Sequence, residues 1–463
     1  MAINNPQLRR SSIKVEVVEA GTRARKGWIS CELENNVRFS TEYLESYCFA
    51  GSYFVVFDAL LVAAAVEFAD RTLHRPAWQW EREIELSIPV HDPALWNSKK
   101  VLDELRSTLS FLTGDSWELS FYSRLKPMDT PRQGRFNIPE GLSAVIPFSD
   151  GLDSRAVAGL MDHEYGDKLI RVRLGSKTSD AKGLSEKRQP FTSVPYKVQA
   201  DGKPFVESSA RSRGFKFALI GALASYLAKA GIVIVSESGQ GSLGPALVTV
   251  GQGYEDYRSH PLFTGRMEKF IAALLGHSVR FKFPRLWHTK AETLKEFVSK
   301  CSDGKDWIMT WSCWQQTRQV SVDHKKRQCG ICAACFLRRM SVHAAELEEI
   351  QSAYVWEDLT APSFEMGAAP TFERSKITGK MRQYAIAGSL HLDHLAGLKE
   401  ASNSSRSLKL SAFQLSRALA LPEFEVSEKL ERLLAQHQLE WKGFVQSLGA
   451  TSFVADWAVQ ANL

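Results

Sequence analysis

Long apolar runs are missing from this 463-residue chain. A membrane-spanning helix needs roughly 18 to 20 consecutive apolar residues. The longest candidate, Phe54–Phe68, is interrupted by Asp58 and Glu67. The first fifteen residues are polar and lack the apolar centre of a secretory signal, so no membrane association is expected. No basic stripe interleaved with aromatics stands out, and a formal net charge of +6 is mild for this length, which argues against direct nucleic-acid binding. Internal repeats, long low-complexity segments and a candidate nucleophilic triad are also missing. Cysteine is scarce, at seven residues, and most are spaced as metal ligands rather than as a disulfide framework. That usage points to a reducing, cytoplasmic setting. What remains is the composition of an ordinary globular chain, 44% hydrophobic and 24% charged, long enough for two or three domains.

The informative stretch is Val145-Ile146-Pro147-Phe148-Ser149-Asp150-Gly151-Leu152-Asp153-Ser154, followed by a helix-compatible apolar segment. A strand-like run ends in a small polar turn and a helix begins at once. In open α/β sheets that turn lies at the carboxyl end of a strand, where ligands bind. Backbone N–H groups, the hydroxyls of Ser149 and Ser154, and the positive end of a helix dipole together suit a phosphate or pyrophosphate. The alternative is an ordinary polar turn. The pattern resembles the Ser-Gly-Gly-x-Asp-Ser signature of PP-loop ATP pyrophosphatases, with Asp150 in place of the second glycine. A carboxylate beside a triphosphate repels it unless Mg²⁺ intervenes.

A second constellation lies downstream. Cys313, Cys329, Cys332 and Cys335 form two overlapping Cys-x-x-Cys units with one thiol upstream, a spacing suited to a closed, structural Cys₄ zinc site. Together, the loop and the run Ser312-Cys313…Cys329-Gly330-Ile331-Cys332-Ala333-Ala334-Cys335-Phe336-Leu337-Arg338 resemble the QueC (7-cyano-7-deazaguanine synthase) family. Arg213-Gly214 and the Phe281–Pro284 and Lys290-Ala291-Glu292 pieces fall between them in the family's order. The resemblance covers roughly residues 140–350. It implies a PP-loop (adenine nucleotide alpha hydrolase-like) parallel α/β core using ATP, Mg²⁺ and Zn²⁺. By the same resemblance, Ser149, Asp150, Gly151, Leu152, Asp153, Ser154 and Arg173 would hold ATP or its pyrophosphate. Asp153, Lys290 and Arg266 would serve the chemistry and Arg213 would meet a 7-deazaguanine-type substrate, while Glu237 and Gln240, in the glycine-rich loop Ser236–Gly241, could hydrogen-bond the edge of its purine-like ring. For Glu237 a carboxylate facing water is an equal reading, and for Arg173, Arg266 and Lys290 a solvated surface is the alternative.

Residues 1–140 and 351–463 extend beyond that core. The first reads as an α+β domain, with strands at Lys14–Ala20, Gly27–Glu34, Glu83–Val90 and Trp117–Tyr122 and helices at Tyr53–Arg71 and Ala94–Leu112. Its pieces Ala69-Asp70-Arg71, Trp80-Glu81-Arg82, Ile88-Pro89-Val90 and Leu112-Thr113-Gly114-Asp115 resemble the leader of QueC-like proteins from the Qat and CBASS antiphage defence systems. In residues 141–350, parallel strands are expected at Leu142–Phe148, Lys168–Leu174, Val194–Val198 and Gly231–Ser236, with a strand-like piece at Trp307–Trp311. The last region reads as helical, at Lys376–Leu398, Ser411–Ala420, Val426–Gln438 and Trp441–Leu448, either binding a partner or covering the core. The resemblance implies ATP-dependent adenylation of a 7-deazaguanine carboxylate and amide formation with an amine of a partner protein. Free nitrile synthesis from ammonia and an inactive nucleotide-binding scaffold are the alternatives.

Overall fold

The computed structural model describes residues 11–39, 54–75, 81–125, 141–149, 151–174, 194, 196–202, 204–207, 210–250, 253–314, 321–401 and 404–458. Asp150, Trp80, Gly175 and Ser176 lie outside them. Two compact units divide the chain. One takes Met1–Pro147, Asp167–Ile234 and Phe263–Lys282; the other takes Phe148–Gly166, Val235–Leu262 and Phe283–Leu463. Among the described residues no helix is long and apolar enough to cross a membrane.

The first unit holds two four-stranded sheets. Strands β1 (Ser11–Val18), β2 (Ile29–Glu32), β4 (Arg82–Val90) and β5 (Ser116–Ser123) form the order β2-β1-β4-β5, with every pairing parallel. This corrects the expected α+β character: the N-terminal region is α/β. The alternation in Glu83–Val90 announces a strand but is silent on direction, which the crossover helices Phe54–Thr72 and Lys99–Thr113 impose. The Phe54–Thr72 helix is apolar almost all round and buried along most of its length, as such a helix must be. The expected Ala94–Leu112 helix breaks at Asn97-Ser98 into a short turn, Pro93–Trp96, and the longer helix, which stops at Gly114 with φ +69°.

Asp70, Arg82 and Asp115 meet in this unit. The Arg82 guanidinium, fully buried, donates to Asp70 Oδ1 at 2.6 Å and to both oxygens of Asp115 at 2.5 and 3.0 Å. Burial opposes ionisation of Asp70, but Arg75 and Arg82 hold its carboxyl below the usual value. Asp70 Oδ2 also accepts from the Ser212 backbone at 2.8 Å, so these residues fasten helix, sheet and loop together.

The second sheet has the order β10-β9-β6-β7, from β6 (Ala144–Pro147), β7 (Leu169–Val172), β9 (Ile232–Ile234) and β10 (Arg280–Lys282), all parallel. The buried helix Arg213–Leu227 packs on β6, and Gly221 allows the approach: a Cβ there would lie 3.0 Å from Pro147 and Val233 side-chain atoms. The segment expected as a third strand of this sheet goes elsewhere. Tyr196–Val198 (β8) pairs antiparallel with Val37–Phe39 (β3), while Val194 alone bridges Leu174. Its half-exposed pattern suits a small ribbon, whereas a central parallel strand is buried on both faces.

In the second unit the helices Leu152–Tyr165 and Lys290–Lys300 pack together, with Gly159 against the Phe297 ring. Gly304–Met309 is a 3₁₀ helix with Ile308 and Met309 exposed, in place of the strand expected over Trp307–Trp311. Residues 351–458 share one hydrophobic core with the cysteine segment, joining Cys329, Cys332, Cys335 and Phe336 to Trp356, Leu392, Trp441, Phe444 and Phe453. Gly379–Gly397 is one continuous helix, and Glu423–Leu448 unites two segments expected to be separate. Nothing between Gln438 and Trp441 breaks it.

Candidate functional site

Strand β6 has β7 on one side and β9 on the other. Its carboxyl end is therefore a topological switch point, and the chain leaves it through Phe148 and Ser149. The turn that follows is organised by hydroxyls. Ser149 donates to Ser154 Oγ through both its backbone N–H and its hydroxyl, each at 3.1 Å, and the Gly151 N–H donates to Ser149 Oγ at 3.2 Å. Ser154 Oγ in turn hydrogen-bonds Ser236 Oγ at 3.2 Å, so the turns that follow β6 and β9 meet. The helix opens at Leu152 behind Gly151, with no side chain capping its first turn. Unclaimed N–H groups at a helix start favour an anion.

Asp153, in that first turn, is buried and pairs through Oδ2 with the buried Lys290 ammonium. Asp153 Oδ1 has no hydrogen-bond partner among the described residues. Lys290 is the first residue of its helix, set by a capping box: Thr289 Oγ1 accepts from the Glu292 N–H at 3.1 Å and the Glu292 carboxylate accepts from the Thr289 N–H at 2.8 Å. The Lys290 backbone N–H donates to Gln240 Oε1 at 2.8 Å.

Glu237 belongs to the same charge cluster. Burial and the Asp153 charge push its carboxyl up to about 7, against Lys290 and Arg258, which favour ionisation. The chain makes room for it at Gly241, where a Cβ would lie 2.3 Å from Glu237 Oε2. Arg258 is gripped by Asp256, donating from its backbone to Oδ1 at 3.0 Å and from Nε to Oδ2 at 2.6 Å. His260 is held neutral by burial, its proton affinity reduced to about 4, and its Nδ1 accepts from the Leu262 N–H at 3.2 Å. Sequence reasoning missed Asp256 and Arg258. The acidic–aromatic run Tyr254-Glu255-Asp256-Tyr257-Arg258 was the available signal.

The candidate residues divide between the two units. Ser149, Gly151, Leu152, Asp153, Ser154, Glu237, Gln240 and Lys290 belong to the second unit. Gln240, expected at a ring edge, is committed internally: its Oε1 serves Lys290, and its Nε2 donates to His437 Nδ1 at 2.8 Å and to Glu440 Oε2 at 3.5 Å. Arg173, Arg213 and Arg266 belong to the first unit. There Arg173 is buried just beyond β7, the Arg213 guanidinium lies 5.4 Å from the Phe217 ring centroid, and that of Arg266 lies 3.8 Å from the Phe111 ring centroid.

The four cysteines form a second centre. All are buried and their sulfurs lie within 4.8 Å of one another, with Cys329 and Cys335 at 3.8 Å. Four ligands about 2.3 Å from a tetrahedral ion stand about 3.8 Å apart. The Cys329 N–H points at Cys313 Sγ at 3.2 Å, and the Ile331 and Cys332 N–H groups point at Cys329 Sγ at 3.5 and 3.3 Å, as thiolate ligands require. Gly330 turns the backbone between them at φ +86°. The set could hold a zinc ion with no position left open. His324 is exposed in the Ser321–Lys326 hairpin turn and His343 lies edge-on to Phe444, so neither is needed as a ligand.

Residues 243–346 match the family model of the queuosine biosynthesis protein QueC. The QueC-like segment is a minority of the chain. It contains Asp256, Arg258, Lys290 and all four cysteines, and it excludes the Ser149–Ser154 turn, Glu237 and Gln240. No curated protein and no solved structure matches the chain.

Proposed function

We propose that this protein adenylates a carboxylate on a 7-deazaguanine-type base and passes the acyl group to an amine of a partner protein, as part of an antiphage defence system. The observation that carries the reading is the Asp153–Lys290 pair: the lysine lies inside the QueC-like segment and reaches the acidic residue of the Ser149–Ser154 turn outside it. A match of this family brings ATP-dependent, 7-deazaguanine-related chemistry with it, and the turn suits the phosphates such chemistry handles.

In the proposed reaction a carboxylate oxygen attacks the α-phosphorus of ATP and pyrophosphate leaves. The amine nitrogen then attacks the acyl carbon, loses a proton, and AMP departs with the C–O bond electrons. The uncapped start of the Leu152–Tyr165 helix and Lys290 would neutralise the phosphates. The orphaned Asp153 Oδ1 fits a divalent cation, and magnesium held there would offset the charge of the leaving pyrophosphate. Glu237 would accept from the N–H groups of the base. The Cys₄ set would hold zinc in a structural role.

Pyrophosphate release from ATP and 7-carboxy-7-deazaguanine, with either ammonia or proteins encoded beside this chain, tests the proposal. A partner protein gaining the mass of the deazaguanine acyl group is the expected result. A free nitrile with ammonia would instead mark a biosynthetic enzyme, and no pyrophosphate under either condition would leave only a binding module.

A further inference from the structure

The N-terminal sheet has a switch point of its own. The order β2-β1-β4-β5 sends the chain to one side of β1 and then to the other, which makes the carboxyl ends of β1 and β4 the place where such sheets take ligands. Immediately after β4 stand His91 and Asp92. They line a cavity of about 230 Å³ with Phe54, Asp58, Leu95 and Trp96, smaller than the roughly 300–1,000 Å³ of sites for drug-sized molecules.

Two buried polar atoms of its lining lack partners among the described residues. Asp58, almost wholly buried, accepts from His91 Nδ1 at 2.6 Å and from the His91 backbone N–H at 2.9 Å. That fixes the tautomer, so the neutral ring presents the Nε2 lone pair. Among the described residues His91 Nε2 is buried without a partner, and so is Nε1 of the fully buried Trp96. Asp92 uses one oxygen to accept from the Leu95 N–H at 3.0 Å, and its other oxygen makes no hydrogen bond among the described residues. Buried polar atoms left unpaired are costly, and a cluster of them beside a cavity points to a missing ligand. The Phe54 ring stacks on His91 at 4.6 Å with 20° between planes while remaining half exposed, a flat wall for another flat ring.

We infer that this cavity is a second small-molecule site, taking a planar base with a guanine-type edge. Two acceptors, His91 Nε2 and an Asp92 oxygen, and one donor, Trp96 Nε1–H, complement a ring that offers two N–H donors and one carbonyl. Cytosine and uracil carry other donor–acceptor orders. The site does not depend on the adenylation proposed above, whose turn, lysine and acidic residues belong to the other unit.

Isocytosine, the single ring with this edge, is the probe. Calorimetric titration of the full chain should give saturable binding at least about tenfold tighter than for cytosine or uracil. Asp92→Asn and Trp96→Phe should each weaken it by about five- to tenfold, the scale of one hydrogen bond. Should the buried Trp96 substitution fail to fold, the exposed Asp92 carries the comparison alone. Absence of isocytosine binding, equal binding of cytosine, or full affinity in a folded Asp92→Asn variant would overturn the inference. The pyrophosphate assay can succeed or fail without affecting any of these readings.

Discussion

The Thr289 hydroxyl donates to Glu440 Oε1 at 2.6 Å, tying the residue that caps the Lys290 helix to the long C-terminal helix. The tie is not single. Gln436 donates to the same oxygen at 3.1 Å, and Gln240 links the Lys290 backbone to His437 and Glu440. His437 Nε2 donates to the Leu392 carbonyl at 2.9 Å, which leaves Nδ1 to accept from Gln240. Arg432 pairs with Glu292, the other half of the capping box, and donates to the Trp287 carbonyl at 2.9 Å. Residues beyond the QueC-like segment thus fix both ends of the box that orients Lys290.

Glu440 makes this clamp sensitive to pH. Burial pushes its carboxyl up to about 7, above the ordinary 4.5, despite the donors around it. Between those values the folded protein holds a proton that the unfolded chain has released. Stability from this group therefore falls as pH rises through that window and levels off above it. Glu440→Gln should remove the slope. Relative to the unaltered protein, its melting temperature should rise by a few degrees on going from pH 5 to pH 8; an unchanged difference would contradict the assignment.

The Asp153–Lys290 pair separates folding from chemistry. Lys290→Met alone leaves a buried carboxylate unpaired, and Asp153→Asn alone leaves a buried ammonium, each costing roughly 3–5 kcal/mol. The double variant restores neutrality and should recover most of that stability in a denaturant titration. Pyrophosphate release should nevertheless stay about a hundredfold or more below the unaltered protein in all three. Recovery of activity in the double variant would make the pair purely structural.

The limits of the sequence follow from the range of its signals. Alternation in Glu83–Val90 and the apolar spacing of Lys99–Thr113 act over neighbouring residues, and both elements stand near where they were expected. The cysteine spacing was equally local, and its four sulfurs do converge. Sheet partnership is not local: nothing within Tyr196–Val198 states that Val37–Phe39 is its neighbour. The Gln240–His437–Glu440 network spans about two hundred residues of chain and has no spacing to read. Gln240 therefore looked like a ligand contact because its loop is glycine-rich, when its amide serves the scaffold.

Zinc content offers a third check. One zinc per chain is expected, and Ser in place of Cys313, Cys329, Cys332 or Cys335 should abolish it. Because the cysteines share a core with Trp356, Trp441 and Phe453, loss of the ion should unsettle the C-terminal helices as well. Apparent binding energies of structural zinc sites reach about 10 kcal/mol or more, so a strong chelator should collapse the near-ultraviolet dichroism of those tryptophans. A metal-free chain with unaltered dichroism would refute the site.

Gly388 extends the same point to a single methyl group. The helix Gly379–Gly397 contains three glycines, yet it runs unbroken. At Gly388 a Cβ would lie 2.7 Å from the Ala333 nitrogen and 3.2 Å from the Cys332 carbonyl carbon. These are backbone atoms at the start of the helix that carries Cys335, and they cannot rotate aside. Alanine is the better helix former by about 1 kcal/mol, so Gly388→Ala would stabilise an exposed helix. Here the collision should win. The variant should melt several degrees lower and release zinc more readily to a chelator, whereas Gly379→Ala, with open space around it, should do neither. A Gly388→Ala protein as stable and as zinc-retentive as Gly379→Ala would show that the two helices can move apart without cost.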